Sequence, residues 1–174
     1  MTRPTERCPT CGFNPATVSP ADAVAAARSY PRRWRALLVR PDDDDPAIVR
    51  RRPSSGEPSA LELAAHAAAT FTTVADSLRR VQAQDAPDIQ IDPAGVAPTE
   101  SLAAVLERLT MGAETLAGAI DAVRGKEWER TGAVTGAPLR AVDVARHGVH
   151  RGIHNLRRAE RVIDEVRPGG ASRG

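Results

Sequence analysis

Four stretches of the sequence repeat apolar residues every three or four positions, the spacing that places side chains on one face of an α-helix. The longest unbroken repeat runs from Leu102 to Val123, and Gly125 follows it as a residue that commonly ends a helix. Helices that each carry one apolar stripe bury it against one another, and four of this length form a bundle. The sequence therefore predicts an all-α protein built as a four-helix bundle.

Capping and turn residues bound the predicted elements. Ser59-Ala60-Leu61-Glu62 has the form of a capping box that begins the second helix. The predicted helices run from Pro20 to Leu38, from Ser59 to Gln84, from just after Thr99 to Gly125, and from Leu139 to Val166. A small hairpin is predicted before the last helix. The chain thus divides into an N-terminal Cys-x-x-Cys segment (1–18), the bundle (19–167) and a flexible tail (168–174).

Charge and composition exclude several classes of function. The formal net charge is only +2 and 3% of the residues are aromatic, so we expect no nucleic-acid partner. No run of about eighteen apolar residues occurs and the first residues are polar, which predicts no membrane partner and a cytoplasmic protein. Two cysteines are too few for a disulfide scaffold and fit a reducing compartment.

Three histidines form the clearest candidate for a metal site. His150 and His154 are one helical turn apart, about 40° around the helix axis, and His66 lies in the second predicted helix. Three neutral imidazoles on two helices would leave a coordination position open, as in catalytic zinc sites, and nickel or iron would also fit. The alternative is that the pair occurs by chance and its members form hydrogen bonds within the bundle.

The residues around these histidines refine the hypothesis. His147 shares their helix face, which makes it an outer-shell partner or an extra ligand. Asp143 and Glu62, each one turn before a histidine, are candidates to orient an imidazole. Arg151 stands where a zinc protease has its catalytic glutamate, which disfavours peptidase activity. The sequence identifies no catalytic side chain.

Cys8 and Cys11 have the spacing of a zinc knuckle, because two intervening residues let both thiolates face one metal. A closed site needs four ligands, and the sequence has no second cysteine pair. The pair is therefore a candidate second metal half-site that would need histidines or another copy of the chain. A redox pair and a dispensable segment are the alternatives.

Several short motifs, in order along nearly the whole chain, resemble the DinB-like superfamily. The N-terminal Cys-Pro-x-Cys-Gly-Phe segment is similar to its actinobacterial branch. The motifs are Cys8-Pro9-Thr10-Cys11-Gly12-Phe13, Trp34-Arg35-Ala36-Leu37-Leu38, Arg52-Pro53, Ser59-Ala60-Leu61-Glu62-Leu63-Ala64-Ala65-His66, Trp128-Glu129-Arg130-Thr131-Gly132 and Val144-Ala145-Arg146-His147-Gly148-Val149-His150-Arg151-Gly152-Ile153-His154.

This resemblance implies a four-helix bundle in which His66, His150 and His154 bind a divalent metal. In related enzymes, such as maleylpyruvate isomerase and the mycothiol- or bacillithiol-dependent transferases, the metal activates a low-molecular-weight thiol. The amino-acid composition is typical of a GC-rich genome. This favours mycothiol over bacillithiol as the thiol, because mycothiol belongs to actinobacteria. Pro58 and His147 stand where such sequences often have aromatic residues, so the substrate is not carried over.

The sequence thus predicts a metal-dependent enzyme of thiol-transferase or hydrolase type. Its expected cofactor is zinc, nickel or iron, with mycothiol as a candidate co-substrate, and its expected partner is a small molecule or low-molecular-weight thiol. The alternative is a noncatalytic metal-binding or interaction module on the same bundle. Either form is compatible with a homodimer.

Overall fold

The computed structural model describes residues 6–39, 47–95 and 101–167. The predicted tail (168–174) and the residues Pro98 and Thr99 lie outside this part of the chain. In the described residues the main elements are α1 (Pro20–Leu38), α2 (Ala60–Ala83), α3 (Leu102–Ala122), β1 (Thr131–Val134), β2 (Ala137–Arg140) and α4 (Ala141–Val166). The predicted four-helix architecture and the hairpin before the last helix are confirmed.

Serine caps begin the first three helices. Ser59 accepts a hydrogen bond from the backbone N–H of Glu62, and the Glu62 carboxylate accepts one from the N–H of Ser59, which completes the predicted capping box. Ser19 and Asp22 form the same arrangement at the start of α1. Ser101 caps α3 through the N–H of Ala104, so this helix begins at Leu102.

The helices do not pack in chain order. α2 packs against α3 and α4, while α1 packs mainly against α3 and also against α4. Around the bundle the order is therefore α1, α3, α2, α4, which places consecutive helices α1 and α2 on a diagonal. The core between the four helices is apolar. Its largest fully buried side chains include Trp34, Tyr30, Phe71, Leu61, Leu78, Leu109, Leu116, Ile120, Leu156 and Ile163.

The hairpin shifts the start of the last helix toward the C-terminus. β1 and β2 pair antiparallel, with Thr131 opposite Arg140 and Val134 opposite Ala137. Thr135 and Gly136 both have positive φ, as expected of a type I′ turn. Because β2 uses the residues up to Arg140 for this pairing, α4 begins at Ala141, two residues after the predicted start.

Among the described residues, no helix combines the length and the apolar character that crossing a membrane requires.

Candidate metal centre

α4 has a polar stripe that faces the N-terminal segment, here called the outer stripe. Arg146, His150, His154 and Arg157 form it, at intervals of four, four and three residues that keep them on one side of the helix. The N-terminal segment (its described residues are 6–18) lies along this stripe. A segment that is far away in sequence thus covers a helix face that would otherwise be exposed to solvent.

Contacts along the whole outer stripe hold the N-terminal segment. The Arg146 Nε donates to the carbonyl of Val18 at 3.0 Å. The ring of Phe13 stacks on His150, with centroids 5.9 Å apart and planes 8° from parallel. The Arg157 guanidinium donates to the carbonyl of Cys11.

A tight turn brings the two thiols together. The N–H of Gly12 donates to the carbonyl of Cys8 at 2.8 Å, and the N–H of Cys8 donates to the carbonyl of Phe13 at 2.8 Å. Gly12 has φ +68°, a conformation that glycine adopts without steric cost. Both cysteines are unpaired thiols and both are buried, at 4% and 6% exposure.

Four potential ligand atoms meet at this contact. One atom each from Cys8, Cys11, His150 and His154 lies within 4.8 Å of all the others. The Cys8 Sγ and the His154 Nδ1 are 3.6 Å apart, and the two imidazole rings stand nearly perpendicular, at 85°. Two thiolates and two imidazoles are a donor set that zinc binds tetrahedrally.

An unpaired buried nitrogen supports the fit of a metal to this site. The His150 Nε2 is buried and has no hydrogen-bond partner among the described residues. A buried polar atom without a partner loses its hydration free energy and gains nothing in exchange. A metal bound to this nitrogen would remove that cost.

The surroundings favour the metal-binding protonation state in three of the four donors. Burial, followed by the neighbouring His154, lowers the pKa of His150 to about 4, and burial also lowers the pKa of His154. Burial raises the pKa of the Cys8 thiol, but hydrogen bonds from the backbone N–H groups of Cys11 and Thr10 outweigh it, and that pKa falls below its ordinary value. Burial raises the pKa of Cys11. Both imidazoles are therefore neutral at pH 7, with lone pairs available.

His66 lies outside this group of four donors. The Arg151 guanidinium is 2.9 Å from the His66 Nε2. Since arginine can only donate, the Nε2 accepts this hydrogen bond, and its lone pair is not available to a metal. Burial and then Arg151 lower the pKa of His66, which keeps the ring neutral.

His147 belongs to a second polar cluster, defined by His66, Asp92, His147 and Arg151. The Asp92 carboxylate lies 3.3 Å from the His147 Nε2 and 3.0 Å from the Arg151 Nε. The hydrogen bond with His147 lowers the pKa of Asp92. Among the described residues, His147 forms no hydrogen bond or ion pair with the four-donor group.

The two carboxylates considered as orienting groups have other partners. Glu62 is bound by the Arg52 guanidinium and by the N-cap of α2. Asp143 pairs with Arg140 and with Arg146, and it thereby helps to hold Arg146 on the outer stripe.

Sequence reasoning missed Asp92, Phe13 and Arg157 as neighbours of the candidate ligands. One signal for the meeting of the two segments was present. The cysteine pair lacks two ligands and would need histidines to complete a metal site. The polar stripe of α4 gave no such signal, because polar residues opposite an apolar stripe ordinarily face solvent.

Comparison with known proteins identifies the fold. The model of the DinB superfamily matches residues 29–159, which include all four histidines and exclude both cysteines. A solved structure of YfiT from Bacillus subtilis, described as a probable metal-dependent hydrolase with an unusual four-helix bundle topology, superposes with a TM-score of 0.65 at 12% identity. That superposition covers 83% of this chain and 89% of the YfiT chain. No curated protein has significant sequence similarity to this chain.

Proposed function

The chain belongs to the DinB superfamily, and on that premise we propose that it binds one divalent metal ion through His150 and His154 of α4. The observation that carries the proposal is the buried His150 Nε2, which has no hydrogen-bond partner among the described residues. The neutral His154 imidazole one turn later offers a second donor. The expected metal is zinc, with nickel or iron as the alternatives for an all-nitrogen site.

The activity to be tested first is that of a metal-dependent hydrolase or thiol transferase, with mycothiol as the candidate thiol. It is supported by the family and by the description of YfiT, which shares the fold. A divalent metal at such a site lowers the pKa of a bound water or thiol and polarises the substrate. This role requires an open coordination position and, as the family resemblance implies, His66 as the third ligand.

One contact stands against that role in the described conformation. The Arg151 guanidinium occupies the lone pair of the His66 Nε2 and is itself held by Asp92. His66 would coordinate only after Arg151 moved away. The same contact favours the second candidate role, a noncatalytic metal-binding or interaction module on the same bundle.

Metal analysis of single-histidine variants tests the proposal. Purified protein should contain about one equivalent of zinc, nickel or iron, and His150→Ala should lose it. His147→Ala is the matched control, because the same residue type on the same helix is engaged with Asp92 and should leave the metal content unchanged. Metal-free wild-type protein, or His150→Ala protein with full metal content, would contradict the proposal.

Turnover assays separate the two roles. A transferase or hydrolase should show metal-dependent turnover, and a transferase should also show a thermal shift on addition of a low-molecular-weight thiol such as mycothiol. Bound metal without turnover and without a thiol-dependent shift would assign the noncatalytic role.

A further inference from the structure

We propose that Cys8, Cys11, His150 and His154 together bind a single zinc ion as a closed Cys2His2 centre, which fastens the N-terminal segment to α4. This inference rests on the proposed metal binding by His150 and His154. It adds the two remaining ligands, the kind of metal and a structural role. Both cysteines lie outside the part of the chain that the family model matches, so their assignment as ligands rests on their spacing and on the geometry of the four donors.

The distances fit a tetrahedral zinc site with little movement. Zinc–ligand bonds of about 2.0–2.3 Å place the ligand atoms of a tetrahedron about 3.3–3.8 Å from one another. The four donor atoms are already within 4.8 Å, and the Cys8 Sγ and the His154 Nδ1 are 3.6 Å apart. The widest donor separation therefore exceeds the tetrahedral spacing by at most about 1.0–1.5 Å.

The N-terminal segment reaches α4 through contacts that do not involve the thiols. Phe13 stacks on His150, and Arg146 and Arg157 donate to backbone carbonyls of the segment. These contacts span the length of the outer stripe. They place both cysteines beside the histidine pair. The two half-sites therefore meet although they are far apart in sequence.

The chemistry of the donors explains why a metal belongs there. Two thiolates neutralise the charge of Zn²⁺, and the two imidazoles complete the tetrahedron without adding charge. Without a metal, two buried thiols lie beside the histidine pair, and the His150 Nε2 has no hydrogen-bond partner among the described residues. Zinc would join the four residues by four metal–ligand bonds.

Closure of the coordination sphere also determines the role of the metal. Four protein ligands leave no position for water or substrate, which is the arrangement of structural zinc. His66 is not needed, and it keeps its hydrogen bond from Arg151. The two ligand sets compete for His150 and His154, so a single metal cannot satisfy both.

Cobalt spectroscopy distinguishes the ligand sets, because thiolate bound to Co²⁺ gives an intense near-ultraviolet charge-transfer band that imidazole does not. Wild-type protein, stripped of metal and kept reduced, is titrated with Co²⁺ and then with Zn²⁺ in competition. We expect one equivalent bound, the thiolate band, and visible bands typical of tetrahedral cobalt. Cys8→Ser and Cys11→Ser should each weaken zinc binding by more than about 100-fold, beyond the 10–100-fold effect typical of losing an outer-shell partner.

His66→Ala is the matched control and should keep the wild-type spectrum and affinity. Helical circular dichroism of each variant shows whether the bundle still folds, and the wild-type spectrum alone tests the inference if a variant does not. Bound cobalt without a thiolate band, or metal lost in His66→Ala but kept in both cysteine variants, overturns it while leaving the proposed metal binding intact. A Cys8–Cys11 disulfide in protein purified under reducing conditions would also overturn it. If no metal binds at all, the proposed function itself fails.

Discussion

Hydrogen bonding at single residues decides which histidines are available to a metal. His66 and His150 are both neutral and both are half-buried, yet the Nε2 of His66 accepts from Arg151 while the Nε2 of His150 has no partner among the described residues. Sequence spacing treats the two rings alike. The difference arises from Arg151. The sequence shows that Arg151 follows His150, but it does not show that the Arg151 side chain points toward His66 on α2.

Glu62 should make the free energy of unfolding depend on pH in the acidic range. The Arg52 guanidinium, outweighing burial, holds the pKa of Glu62 at about 2, below its ordinary 4.5. A carboxylate with a lowered folded-state pKa stabilises the fold above its unfolded-state pKa, and this contribution is lost as the pH falls toward 2. Glu62→Gln should cost about 1 kcal/mol at pH 7, because it removes the charge that pairs with Arg52 while the amide oxygen can still accept from the N–H of Ser59, and much less near pH 2.

Urea unfolding of both proteins across this pH range measures the effect. Asp76→Asn, which removes an exposed ion pair with Arg79, is the control and should change stability by less than about 1 kcal/mol. A difference between wild type and Glu62→Gln that stays constant from pH 7 to pH 2 would contradict the assignment.

At the scale of the elements, the α1–α4 contact fixes the part of α4 that carries the histidine pair. The buried Tyr30 hydroxyl donates to the carbonyl of Val149 at 2.6 Å. A Cβ added at Gly152 would lie 2.5 Å from the Tyr30 ring. The glycine thus permits a close approach of the two helices between His150 and His154.

Gly152→Ala should destabilise the protein by about 1–3 kcal/mol, because the overpacked tyrosine ring cannot move without disturbing the core. Gly118→Ala is the matched control, since it is also a helical glycine and a Cβ there meets nothing within 4 Å. It should be neutral or stabilise by up to about 1 kcal/mol through helix propensity. Thermal unfolding measures both, and equal effects of the two substitutions would argue against the close contact.

The N-terminal segment should loosen when metal is removed. If zinc joins it to the outer stripe, chelation should increase amide hydrogen exchange in residues 8–18 and leave the centres of α2 and α3 unchanged. Phe13, Arg146 and Arg157 would still hold the segment weakly, so partial protection should remain. Unaltered exchange after complete loss of the metal would show that the metal does not hold this segment.

At the scale of the whole molecule, local patterns predicted the elements and failed to predict how distant segments meet. The helical periodicity, the Ser59 capping box and the hairpin residues each depend on neighbours in sequence, and the structure confirms the bundle and hairpin that they indicated. The placement of consecutive α1 and α2 on a diagonal, and of the N-terminal segment on α4, depends on long-range packing. Such contacts leave no periodic signature.

In the candidate site, too, the sequence predicted the local pairs of residues but did not predict which distant pairs meet. The sequence indicated a histidine pair and a cysteine pair, each incomplete as a metal site, and their meeting required the fold. The predicted set of His66, His150 and His154 remains a proposal that competes with the Cys2His2 set. His66, on a separate helix, joined this set in the sequence as a third imidazole, and the family resemblance supported that hypothesis.

X-ray absorption at the zinc edge, on protein purified with its metal under reducing conditions, identifies the atoms bound to the metal. We expect about one zinc per chain, with two sulfur ligands at about 2.3 Å and two nitrogen ligands at about 2.0 Å. A zinc shell of nitrogen and oxygen atoms without sulfur would contradict this expectation.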